Sequence, residues 1–204
     1  MEVLHPVEVR VLGALLEKQI TTPEYYPLTL NALVNACNQK SSREPVVNYD
    51  EATVLQGLAL LRAKGLALKI SGAGHRVEKY GHTLGEKLNL GRREAALLCV
   101  LMLRGPQTVG ELRGRTERMH DFVELEEVER CLESLAAREP EPLVAPLPRG
   151  RWCQLLGGPP DLTAEDQADA PRSAGSGLDA RVEALEREVA ELKQTLESFR
   201  RQFE

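Results

Sequence analysis

Aromatic residues are scarce in this 204-residue chain, at 4% of positions, so any core must be built mainly from Leu, Val and Ala. That composition suits small helical modules. Long apolar runs are missing as well: no segment approaches the roughly 18 apolar residues of a membrane helix. The first sixteen residues lack the basic start and unbroken apolar run of a secretory leader, so none is expected. Cys37, Cys99, Cys131 and Cys153 are far apart and form no CxxC pair, which gives no spacing support for a thiolate metal site. The first three fall on the apolar faces of predicted helices and Cys153 in a predicted strand. They read as reduced core thiols, which fits the expectation of a cytoplasmic protein. His5, His75, His82 and His120 do not cluster either, and no metal or cofactor is expected. Absent too are GxGxxG and P-loop glycine patterns, HExxH, and any Ser, Cys or Lys nucleophile signature, so the chain reads as a non-enzyme.

Nor does one sign of charge dominate the body of the chain. Residues 1–80 carry 8 acids and 9 bases (net +1), residues 81–157 carry 12 and 11 (net −1), and residues 158–204 carry 11 and 6 (net −5). The formal charge of −5 therefore resides mostly in the tail. No module is strongly basic, which argues against an obvious nucleic-acid binder.

What the chain does have is helical periodicity. Residues 7–20, 29–37 and 49–64 read as three helices, followed by a strand, a glycine-rich turn and a strand up to Tyr80. This is the order of a winged helix, a helix-turn-helix core with a β-hairpin. Pro6 suits the first helical position, where its missing N–H costs nothing. Val7, Val11, Leu12, Leu15 and Leu16 form the inward stripe of the first helix. Thr29 is a predicted N-cap of the second, in which Leu30, Leu33, Val34 and Cys37 fill one face. Asn48 with Glu51 reads as a capping box for the third, in which Val54, Leu55, Leu58 and Leu61 are expected to be buried. Gly57 inside that helix predicts close approach of another helix. Leu66 to Ile70 and Arg76 to Tyr80 are the predicted hairpin strands.

The stretch LHPVEVRVLGALLEKQITTPEYYPLTLNALVNACNQKSSREPVVNYDE, residues 4–51, resembles the opening signature of the YceH-like family, with the run EKQ-TTP-YPLTLNALVNACNQKS specific to it. The resemblance implies two winged helices in tandem, and through that fold nucleic-acid binding.

The same order recurs from Gly91. Arg92 to Leu103 is the first helix of the copy, and Thr108 with Glu111 and Asp121 with Glu124 read as capping boxes for two more. Leu125, Val128, Leu132 and Leu135 are the expected stripe of the last, and residues 143–147 and 152–156 the hairpin. That last helix carries Glu124, Glu126, Glu127, Glu129 and Glu133, a face that repels phosphate, so it is not expected to enter a DNA groove. Arg113, Arg115 and Arg118 on the preceding helix read as a backbone contact or as a solvated face.

The composition shifts to Gly, Pro, Ala, Ser and Asp over 157–177, which reads as a linker. Leu178, Val182, Leu185, Val189, Leu192, Leu196, Phe199 and Phe203 then recur alternately four and three apart. This heptad seam, on a helix of about 26 residues or roughly 39 Å, predicts a parallel homodimer. Packing of the same helix on a globular surface is the alternative. The expected architecture is thus mainly α with small β-hairpins: a first winged helix over 1–85, a second over 86–156, a linker over 157–177 and a coiled-coil helix over 178–204.

Two functions follow as expectations. The first is a dimeric, transcription-regulating binder of double-stranded DNA. Lys40, Ser41, Ser42 and Arg43 would meet phosphates, Gln56 a base edge, and Lys69, Arg76 and Lys79 the backbone through the wing. The second is a non-catalytic protein-interaction scaffold, favoured by the near-neutral first module and by Asp50 and Glu51 at the third helix's start, where phosphate would be repelled. No membrane or small-molecule partner is expected.

Overall fold

Helix starts are set locally, by caps the sequence carries. Pro6 opens α1 (Pro6–Thr21), and Glu8 Oε2 accepts the backbone N–H of His5 at 2.7 Å. Thr29 closes the short strand β1 (Leu28–Thr29) and caps α2 (Leu30–Cys37), its hydroxyl accepting from the Ala32 N–H at 3.3 Å. α3 (Glu51–Ala63) is capped by Asp50, whose carboxylate accepts from the Thr53 N–H at 2.8 Å. The expected Asn48–Glu51 box therefore gives way to a cap two residues later. Asn48 lies outside the helix because Tyr49 is held in the loop: its N–H and carbonyl bond both ends of the Asn38 amide, at 2.8 and 2.7 Å.

The structure is a computed structural model that describes residues 2–70 and 77–159. Two strands, β2 (Ala67–Ile70) and β3 (Lys79–His82), complete the first module, with β3 central in the antiparallel order β1-β3-β2. The second strand thus starts at Lys79, not Arg76, and Arg76 lies outside the described residues. The short helix α4 (Leu84–Lys87) follows.

The second module repeats the order: α5 (Arg92–Arg104), β4 (Gln107–Thr108), α6 (Val109–Thr116), α7 (Leu125–Ala136), β5 (Val144–Leu147) and β6 (Arg151–Gln154), the sheet again ordered β4-β6-β5. The caps repeat as well. Glu94 accepts from the Gly91 N–H at 2.7 Å as Glu8 does from His5, and Thr108 and Glu111 form the predicted reciprocal box, at 3.3 and 2.9 Å. The Asp121–Glu124 box does not form. Glu124 itself occupies the cap position of α7, while Glu127 accepts the Val123 N–H at 3.2 Å.

The two modules share one core. Leu12, Leu15, Leu33, Val54, Leu58 and Leu61 belong to the same buried cluster as Leu97, Leu98, Val128, Leu132 and Leu135. The junction is α1 against α5, and Gly13 lets the two helices close. A Cβ there would lie 2.9 Å from Leu103 Cδ2, and the Cys99 thiol reaches the Gly13 carbonyl at 3.6 Å. Gly57 does the same between α3 and α1, where a Cβ would sit 3.0 Å from Val7 Cγ1, as its place inside a helix predicts.

Two residues expected inside are outside. Leu55 is 41% exposed and Leu125 42%. At 100° per residue, Val54, Gly57, Leu58 and Leu61 already complete the inward arc of α3, and Leu55 is rotated off it. Leu125 is the first residue of α7, before Val128, Leu132 and Leu135 settle on the core. Among the described residues no helix is long and apolar enough to cross a membrane. The linker and the heptad residues Leu178, Val182, Leu185, Val189, Leu192, Leu196, Phe199 and Phe203 lie outside the described residues.

Candidate functional site

The loop between α2 and α3 has no apolar period, yet it is tied down at every few residues by buried cations. Arg10, in α1, donates to the carbonyls of Cys37 at 3.2 Å and Pro45 at 2.6 Å. Burial, and then the neighbouring Arg43 charge, lower the Arg10 pKa. The Glu44 N–H bonds the Leu103 carbonyl at 2.8 Å, fastening the loop to the end of α5.

Arg43 is the centre of this arrangement, and here the expectation of a phosphate contact is corrected. Its side chain is 0% exposed. Nη1 and Nη2 grip Glu17 Oε1 and Oε2 at 3.1 and 2.6 Å. Nε and Nη2 reach the Ala36 carbonyl at 3.1 and 2.9 Å, and Nη1 the Ser42 carbonyl at 2.9 Å. The five N–H donors of a guanidinium are thereby all spent inside the protein. Burial opposes ionisation of Glu17, but the Arg43 hydrogen bonds and charge outweigh it and hold the carboxyl below its ordinary range.

The other residues expected at a DNA interface scatter. Lys40 and Ser41 are exposed in the loop, and Ser42 is half-buried with φ 59, a left-handed conformation that costs a non-glycine residue about 1–3 kcal/mol. Gln56 is exposed on the outer face of α3. Lys69 is ion-paired with Glu78. It stands opposite Tyr80 in the sheet, whereas Lys79 stands opposite Ile70. Adjacent pairs alternate between faces, so Lys69 and Lys79 project to opposite sides of the sheet.

What the fold does bring together was not in the expected set as a unit. Lys18 and Glu17 from α1, Ser41 and Ser42 from the loop, Arg104 from α5, Arg115 from α6 and Arg118 from the turn after it line one recess of about 200 Å³ at the module junction. Arg104 Nη2 donates to Ser42 Oγ at 2.7 Å, leaving the hydroxyl hydrogen available to another acceptor. Burial lowers the Arg104 pKa, and the like charges of Arg115 and Arg43 lower it further. Arg115 is shared with Glu111 at 3.1 Å and Lys18 with Glu17 at 3.6 Å. Arg113 does not line this recess: it is exposed, and its Nε donates to the Phe122 carbonyl at 3.2 Å.

The outer face of α3 has a different character. Ala52, Leu55, Gln56, Ala59, Leu60 and Ala63 are its exposed residues, with Glu51 and Arg62 at the edge, and Leu60 is 43% exposed. On α7 the exposed residues include Glu126, Glu129, Arg130 and Glu133. All four cysteines are free thiols, and among the described residues no group of His, Cys, Asp and Glu is arranged to hold a metal ion.

These features define a mainly helical protein with two small antiparallel sheets, its two like modules closed on a common core. The chain belongs to the bacterial family described as "Protein of unknown function, DUF480", which matches residues 4–151, in agreement with the resemblance carried by residues 4–51. It is 58% identical over 207 residues to a UPF0502 protein of Solibacter usitatus, covering 98% of each chain. It is 54% identical over 194 residues to one of Citrifermentans bemidjiense (92% of this chain, 88% of that one). To UPF0502 protein GSU0233 of Geobacter sulfurreducens it is 49% identical over 221 residues, all of both chains.

Proposed function

We propose that this chain is a non-catalytic interaction protein of two tandem winged-helix modules, and that the first module docks a protein partner on α3. The supporting observation is the character of the outer α3 face: in a winged helix this surface enters the major groove. Here it presents alanines and two half-exposed leucines around a single Gln56. Alanine lets a partner backbone approach closely, and a contiguous apolar patch on a helix marks an interaction site. A groove-reading helix instead needs donors for base edges and cations for phosphates. On α7 the acidic face carries the same argument for the second module. The heptad seam of residues 178–203 would make the protein a dimer.

Binding of double-stranded DNA is the second reading, favoured by Gln56 at the middle of that face and by the exposed Lys40 and Ser41. Fluorescence anisotropy of a random duplex at 50 and 200 mM salt separates the two. A protein-docking module shows no salt-sensitive binding. Binding that falls steeply with salt, and that Gln56→Ala and Lys40→Ala weaken, replaces the first reading by the second.

A further inference from the structure

We propose that the recess at the module junction binds the phosphoryl group of a small phosphorylated molecule. This site is separate from the α3 face and does not depend on the docking reading. Four cations, Lys18, Arg104, Arg115 and Arg118, line the recess against one carboxylate, Glu17. That carboxylate is already engaged, bound by Nη1 and Nη2 of Arg43 and neighboured by Lys18. The remaining acids leave the balance positive. Glu111 takes part of Arg115, and Glu44 is exposed at the loop and attracts Arg104. Arg118 has no acidic partner among the described residues and is exposed, so it is free to swing onto a ligand. Arg104 is the fixed element. Its hydrogen bond to Ser42 aims the guanidinium at the recess and leaves the Ser42 O–H as a further donor.

Surface arginines paired with exposed acids ordinarily contribute little. Here like charges crowd instead: Arg115 and Arg43 both act on Arg104. Ser42, whose backbone is left-handed (φ 59), lines the recess with its Oγ bonded to Arg104. Guanidinium groups suit phosphoryl oxygens because their fork donates two parallel hydrogen bonds. The size selects the ligand. About 200 Å³ is below the roughly 300–1,000 Å³ of sites for drug-sized molecules, so the recess admits a phosphoryl group or two, with the rest of the molecule outside. A duplex backbone presents the same phosphoryl chemistry on a convex surface.

Isothermal titration of the full chain with inorganic pyrophosphate at 50 mM salt tests the assignment. The expected result is saturable one-to-one binding that weakens as salt rises. Arg118→Ala and Arg104→Ala should each weaken it about tenfold or more, the effect of losing a hydrogen bond to a charged group. Arg118→Lys should recover part of the loss, and Arg62→Ala, on α3, should leave binding unchanged. Arg118 is exposed, so a thermal melt of its variant matching the parent separates lost binding from lost fold. Absence of saturable binding, or binding indifferent to Arg118 and Arg104, overturns the proposal. So does a duplex that binds and loses affinity in Arg118→Ala while pyrophosphate does not bind, since the phosphoryl source would then be nucleic acid.

Discussion

Replacing Arg43 with alanine measures what this side chain is for. If it met phosphate, its loss would cost affinity and leave the fold alone. The structure gives the opposite expectation. Arg43→Ala strands the Glu17 carboxylate, whose side chain is only 14% exposed, and leaves the Ala36 carbonyl without two donors. Removing one partner of a buried ion pair costs about 3–5 kcal/mol. For a body of this size each kcal/mol lowers Tm by about 2–4 °C, so the variant should melt roughly 6–20 °C below the parent at pH 7. Lys40→Ala, three residues away and exposed, should stay within about 0.5 kcal/mol. The pH dependence adds a second arm. Glu17 has a depressed pKa, so its contribution is full above the ordinary carboxylate range of about pH 4.3 and is lost as pH falls through the folded-state value. In Arg43→Ala burial, which favours the protonated form, is opposed only by the Lys18 ion pair at 3.6 Å, the weaker of the two cationic influences on Glu17. The gap in Tm between parent and variant should therefore narrow from pH 7 to pH 4. A gap under about 2 °C at pH 7, or one that widens on acidification, refutes the structural role.

Further expectations concern the buried groups. His82 is held neutral by burial, its pKa pushed down to about 4, so its contribution is complete above pH 6.5 and lost as pH falls from there towards 4. The loss amounts to about 3 kcal/mol at most. His82→Asn, which keeps an acceptor for the Leu84 N–H, should flatten stability against pH across that window; an unchanged slope assigns it to another group. Burial pushes the Cys37 thiol up to about 12 and the half-buried Cys131 to about 11. Mass spectrometry after thiol alkylation at pH 8 should find Cys131 modified first and Cys37 and Cys99 only on unfolding; early labelling of Cys37 contradicts the packing. Gly13→Val should lower Tm by forcing α1 from α5, an overpacking cost of about 1–3 kcal/mol. Gly110→Ala, where nothing lies within 4 Å, should leave Tm equal or slightly higher, so equal melting of the two variants removes the close-approach argument.

The local chemistry of this protein is written in short spacings. Thr29, Thr108 with Glu111, and Pro6 mark helix starts because a cap needs only neighbours three residues away. The recurrence of the element order was legible for the same reason, as was the close approach at Gly57. The caps of α3 and α7 were misplaced where several acceptors compete within a few residues, and the Tyr49–Asn38 pair or the Glu127 carboxylate decided between them. Charge location was not legible at all. Arg43 and Lys40 look alike in a polar loop, yet one is sealed against Glu17, 26 residues earlier, and the other is in solvent. The recess at the junction joins residues 18, 42, 104 and 118, and no periodicity links them. Helix and strand order follows from short-range torsional and capping preferences. The environment of a charge follows from which distant surfaces meet, and only the packing of α1 on α5 decided that.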